Sequence, residues 1–257
     1  DENAGVKPFY VNKFPASSSL LPCSPLSRDE DPGYNHCRTW GENTEQDYII
    51  QIQTDSLDAL IASGVCPPPD FLSLDVQGVE LRIQRGAKTA LSDSILGLVT
   101  EVEFFEIYEN QGLFHEQSAI LDAHGFRLVE FFNKQYWHPG LPSGHGFFTV
   151  AEALFLKMTL TSAELIHKKS RGCVGAGLLA TEKIFKLGLF AYAFKRMSYM
   201  HALFEYLNER APDVLIEAEN TPSFKKVVDC YRKMSANNSI ENNNARLKDM
   251  MRQKFRY

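Results

Sequence analysis

The sequence is short of the features that would place it at a glance. Its most apolar stretch, residues 173–194, is interrupted by Glu182, Lys183 and Lys186. Each charge would cost about 2.5–3.5 kcal/mol near a bilayer centre, so no membrane span is expected. Five cysteines, at 23, 37, 66, 173 and 230, form no C-x-x-C pair and no zinc spacing. An odd, scattered set argues against a disulfide framework and reads as reduced thiols, hence a cytoplasmic setting. His115, His124 and His138 have no ligand spacing with one another or with acids, and no metal is expected. There is no G-x-S-x-G, no Walker loop, no helical H-E-x-x-H, no internal repeat and no N-terminal targeting segment. Asn237-Asn238-Ser239 is a glycosylation sequon by pattern only. Nor does anything before residue 48 show a strand, a glycine-rich turn and a helix in that order. Gly5 and Gly33 stand alone in polar surroundings.

What is present is enough for a packed core. The 257 residues have an ordinary globular composition and a formal net charge of −5. That charge is unevenly spread. Residues 1–159 hold ten Lys and Arg against 22 Asp and Glu, whereas residues 160–257 hold 17 against ten. The two parts either dock on each other or are solvated separately; a sharper alternative is a basic tail that meets an acidic partner.

Read for periodicity, residues 1–159 alternate strands with helices. Strands are expected at Pro8 to Lys13, Tyr48 to Gln53, Ile95 to Phe105, Phe126 to Phe132 and Phe148 to Met158. Helices are expected at Leu57 to Ala62, after Gly78 to about Leu91, and from about Leu113 to Ala123. Residues 27–47 read as an acidic loop. Such alternation specifies an α/β sheet closed by a hairpin-like pair. From Thr161 onward the pattern is helical, giving an extension over residues 160–257.

The chain is organised around Asp70-Phe71-Leu72-Ser73-Leu74-Asp75-Val76-Gln77-Gly78-Val79-Glu80-Leu81. Phe71, Leu72, Leu74 and Val76 supply an apolar run of strand length with Asp75 near its end, Gly78 permits a tight turn, and Glu80 falls in the first turn of the next helix. Ligands of open α/β sheets collect beyond the carboxyl ends of strands, which is where Asp75, Gln77 and Glu80 would sit. On the following strand Val99, Glu101 and Glu103 share one face, and two carboxylates there are costly to bury unless partnered. Glu101 and Glu103 are candidate bases or partners of Arg82 and Arg85. His145, between Gly144 and Gly146, is a further candidate base, and Ser17-Ser18-Ser19 a candidate pocket edge.

The central stretch, with Gln84-Arg85-Gly86-Ala87 after it, resembles the motif of FkbM-type S-adenosylmethionine-dependent methyltransferases, roughly D-x-L-K-I-D-V-[EQ]-G-x-E. Ser73 stands where that family commonly has a lysine. Phe9-Tyr10-Val11, the Pro15 to Leu20 segment, Thr100 to Phe104, Tyr108 to Phe114, Gly125 to Leu128 and Ala153 to Lys157 resemble further pieces in order, over about residues 1 to 158. The resemblance implies a partial Rossmann-like sheet of mostly later strands at 1–159. It implies O-methylation of a small-molecule or sugar hydroxyl, with S-adenosylmethionine as co-substrate. Asp75, Gln77 and Glu80 would bind the donor, and Asp75, Glu101, Glu103 and His145 are the catalytic candidates. It also implies that the glycine-loop half of the domain lies outside this sequence, so that the chain, which starts at Asp1, is a fragment with weak donor binding. The alternative is a non-catalytic interaction module whose basic helical tail binds a second copy or another protein. No nucleic-acid partner is expected.

Overall fold

The computed structural model describes residues 1–32, 39–139, 146–158 and 181–237. The chain divides into two compact units, Asp1–Met158 and Thr159–Tyr257. The first contains β1 (Gly5–Asn12), β2 (Glu30–Asp31), α1 (Trp40–Asn43), β3 (Gln46–Thr54), α2 (Leu57–Ala62), β4 (Phe71–Leu74), α3 (Glu80–Arg85), α4 (Lys88–Asp93), β5 (Gly97–Glu103), α5 (Phe114–Ala123), β6 (Phe126–Pro139) and β7 (Phe147–Lys157). It is a mixed α/β architecture with two sheets. β1 and β3 form a two-stranded antiparallel ribbon, and the other strands form a five-stranded sheet in the order β2-β6-β7-β5-β4. Only β4 and β5 run parallel; β5 with β7 and β7 with β6 are antiparallel. β4 therefore ends the sheet, and its outer edge has no partner strand among the described residues.

The register of β5 on β7 sorts the side chains into two faces. Leu98, Thr100 and Val102 lie opposite Phe155, Ala153 and Ala151. These residues join Leu91, Ile95 and Leu121 in a core beneath α4 and α5, where all the apolar members are essentially sealed from solvent. Burial of each large side chain there is worth about 1.5–3 kcal/mol relative to exposure. On the other face Val99, Glu101 and Glu103 lie opposite Leu154, Glu152 and Val150. A second cluster gathers Trp40, Val79, Ile107, Tyr108, Trp137 and Val150.

Two local expectations are corrected. Residues 27–47 are not all loop. Thr39 accepts from the Glu42 amide at 3.1 Å while the Glu42 carboxylate accepts from the Thr39 amide at 3.2 Å, a capping box that starts α1. It drives Trp40 inward, where the indole nitrogen donates to the Ile107 carbonyl at 3.0 Å. The helix expected from Gly78 to Leu91 is two helices. The Gly86 carbonyl is taken by the Asp58 amide at 3.0 Å, and the Asp58 carboxylate accepts from the amides of Thr89 and Ala90 at 2.8 and 2.9 Å. A carboxylate from α2 thus restarts the helix after the Gly86-Ala87 corner.

In the second unit the described residues are helical: α6 (Thr181–Ala193), α7 (Met197–Arg210), α8 (Pro212–Asn220) and α9, residues 222–237. Gly188 lies under the Phe204 ring, so closely that a Cβ would collide with it. Leu187, Met200, Leu203, Phe204, Leu207 and Val228 are fully buried. Among the described residues no helix is long and apolar enough to cross a membrane.

Candidate functional site

β4 stops at Leu74, and the chain turns outward at its carboxyl end. Asp75 is exposed there. Gln77 takes φ 57° and Gly78 φ 93°, two successive left-handed residues that reverse the backbone before α3. The turn is closed from inside: the Val76 amide donates to Glu80 Oε1 at 2.8 Å, and Ser19 Oγ donates to the Gln77 carbonyl at 2.6 Å. A Cβ on Gly78 would lie 2.9 Å from the Tyr108 ring, so glycine lets that ring pack directly on the turn.

Here the side chains converge. Gln77 Nε2 donates to Asp75 Oδ1 at 2.7 Å and to Glu101 Oε2 at 3.3 Å. Gln77 thus bridges the two carboxylates, and Glu152 faces Glu101 directly across the β5–β7 ladder. Glu152 accepts from Asn133 Nδ2 at 2.7 Å. Behind this mouth Glu80 and Glu103 are fully buried. Among the described residues neither oxygen of Glu103 has a hydrogen-bond partner, and Glu80 Oε2 has none.

The electrostatics follow from that crowding. Burial, with the charge of Asp75 adding to it, pushes the Glu80 carboxyl up to about 7, against the stabilising Val76 amide. Burial and then the charges of Asp75 and Glu80 push Glu101 up to about 8. Burial, followed by Glu80, Glu101 and Asp75, lifts Glu103 well above the usual carboxylate range. Tyr108, also buried, is lifted well above the ordinary phenol range. With midpoints raised by burial, these acids keep protons at pH values where ordinary carboxylates have lost them, and Glu80 and Glu101 can exchange a proton near neutral pH.

Of the residues proposed from sequence, Asp75, Gln77 and Glu101 meet at the mouth, while Glu80 and Glu103 stand behind it. Pairing of the glutamates with arginine is not realised: Arg85 lies 3.7 Å from Glu116 instead. His145 lies outside the described residues. His124 sits on the surface, with Nδ1 3.0 Å from Ser92 Oγ. Among the described residues no three His, Cys, Asp or Glu side chains are grouped to hold a metal ion.

Several participants were not singled out by sequence. Tyr108 donates its hydroxyl toward Gln77 Oε1 and the Ser17 carbonyl, each at 2.9 Å. Gln111 Oε1 accepts from the amides of Ile107 and Tyr108 at 2.6 Å, fixing the segment that carries the ring. Beneath the sheet, Gln84 and Thr100 donate to Gln117 Oε1 at 2.7 and 3.1 Å, and Gln117 Nε2 donates to the Glu101 carbonyl at 3.2 Å. The sign that could have found these is the number of glutamines at positions that periodicity turns inward.

No curated protein and no solved structure matches the chain. Residues 9–128, from β1 to the start of β6, match the family described as Methyltransferase FkbM domain. Asp75, Gln77 and Glu101 all lie within the segment that is similar to that family.

Proposed function

We propose that the chain serves methyl transfer from S-adenosylmethionine to a hydroxyl of a small molecule or sugar, at the crevice beyond the carboxyl ends of β4 and β5. The observation that carries this reading is the hydrogen-bonded Asp75–Gln77–Glu101 set at the mouth of the parallel strand pair, inside the matched segment. The residues present fit part of the donor. Exposed Asp75 can accept from hydroxyls, and the carboxylates suit a cationic sulfonium. A glycine-rich backbone cradle does not adjoin β4 among the described residues, so the rest of the donor wall belongs to strands added at the open β4 edge. On this reading residues 1–159 are the later part of a methyltransferase domain and 160–257 a helical extension. The protein works in the cytoplasm, and its basic extension meets a second copy or a protein partner.

Bound S-adenosylmethionine supplies an activated methyl group. The work of the chain is to orient the acceptor and to take its proton. Holding the attacking oxygen in line at short range supplies much of such a rate. On this reading exposed Asp75 accepts the hydroxyl proton, and Glu101 does so once it has lost its own, while the buried acids Glu80 and Glu103 line the space behind the turn. Calorimetry of the full-length gene product with S-adenosylmethionine tests the reading. Saturable binding is expected, and its absence rejects the enzyme assignment. Asp75→Asn in the same protein should lower turnover by about 100-fold or more, the usual worth of a positioned acid or base. Unchanged turnover would remove Asp75 from the chemistry.

A further inference from the structure

The Gln77 side chain is held by three partners of two kinds. Its nitrogen faces two carboxylates, Asp75 at 2.7 Å and Glu101 at 3.3 Å, and its oxygen faces the Tyr108 hydroxyl at 2.9 Å. Turned over, the amide would set its oxygen against both carboxylates, so the partners fix its orientation. The Tyr108 hydroxyl has one proton and a second acceptor, the Ser17 carbonyl at 2.9 Å, which ties the Ser17 to Ser19 segment to the same chain of bonds. The ring cannot drift, because it packs on Gly78 and meets Trp40 edge-on with centroids 5.5 Å apart. Two carboxylates this close repel, and a neutral donor shared between them offsets that cost.

We infer that Gln77 and Tyr108 are positioning residues: Tyr108 orients the Gln77 amide, and that amide clamps Asp75 and Glu101 into one acid pair that accepts a single proton. The use of the pair as the proton acceptor rests on the methyltransferase reading, whereas the clamp does not. A glutamate at 77 would have no donor to offer, which makes the amide the feature that sets this turn apart from an acidic version of itself.

The test is a carboxyl-carbon NMR titration of the whole chain, labelled at Asp and Glu, with the Glu101 resonance assigned through Glu101→Gln. Glu101 is faced by Asp75 at the end of β4, Glu80 on α3, Glu103 on its own strand, Glu152 on β7 and Tyr108 on the segment after β5. Gln77→Asn tolerates the left-handed backbone but is too short to reach. It should raise the Glu101 midpoint from about 8 by about one pH unit, the worth of one hydrogen bond to a charged group. Tyr108→Phe keeps the ring and should raise the midpoint by less. Added to Gln77→Asn, it should raise it no further, since its influence passes through the amide. Should Gln77→Asn fail to fold, Gln77→Gly removes the amide, accepts the left-handed backbone and carries the same expectation. A midpoint unmoved by loss of the amide overturns the proposal, as does an equal Tyr108→Phe shift with and without Gln77. No methyl donor enters the titration, so these outcomes stand apart from the donor-binding test.

Discussion

In the first unit Glu80, Glu103, Gln84, Gln117 and Thr100 are shut away from solvent, and three carboxylate oxygens among them have no hydrogen-bond partner among the described residues. In the second, the described helices bury Leu, Phe, Met, Val, Ile and Ala side chains and the Tyr231 ring, and no charged side chain. Its polar contacts sit at the rim, where Glu205 accepts from Ser235 at 2.6 Å and from Tyr231 at 3.1 Å, joining α7 to α9. One unit is built as packing requires. The other retains groups that packing alone would discard, because burying an acid without a partner costs stability. The chemistry is to be sought where that cost is carried.

Both tryptophans, Trp40 and Trp137, are buried in the first unit and the second has none, so fluorescence and far-ultraviolet circular dichroism can follow the contrast separately. The largest effect belongs to Phe204→Ala. It removes the ring stacked on Phe185 with centroids 5.5 Å apart and fitted over Gly188, and should destabilise the helical unit by about 3–5 kcal/mol. Helical signal should melt earlier while the tryptophan transition stays in place; equal movement of both would break the comparison.

Next comes pH. The folded midpoints of Glu80, Glu101 and Glu103 are raised above the ordinary value near 4.5. Their contribution is fully present below that value and is lost as pH rises towards 7 to 8, by about 1.4 kcal/mol per pH unit for each group that stays protonated only when folded. Urea unfolding followed by tryptophan fluorescence should therefore show stability falling over that window, and Glu103→Gln should flatten the fall by one group's share. A flat wild-type profile would show that the acids are not buried as described. The smallest effect is Asp58→Ala, which uncaps α4 and should cost about 1 kcal/mol by the same fluorescence assay.

How much of this could be read from the sequence depended on the range of the forces involved. α2 was expected at its observed limits because Ser56 and Gly64 punctuate it locally, with the Ser56 hydroxyl accepting from the Ala59 amide at 3.2 Å. The strand at 71–74, the turn at Gly78 and the placement of Asp75 at a strand end were legible for the same reason. The Gly86 corner was not, since the carboxylate that restarts α4 arrives from α2, some thirty residues earlier. Trp40 hid in a stretch whose charge suggested a loop, although Thr39-x-x-Glu42 carried the capping signal. At the site, the acids were visible by type and position. The Tyr108–Gln77 bond was not, because it joins segments that only the folded sheet brings together.

The open side of β4 carries one more consequence. The strand has four residues, so a neighbour laid along it would find only about 13 Å of ladder on which to choose its register. With so few rungs, slipping by one place would turn the neighbour's own side chains to the opposite face at the loss of little else. A parallel neighbour also needs a crossover of a dozen or more residues. Whatever extends this sheet must therefore bring its own helix to keep count.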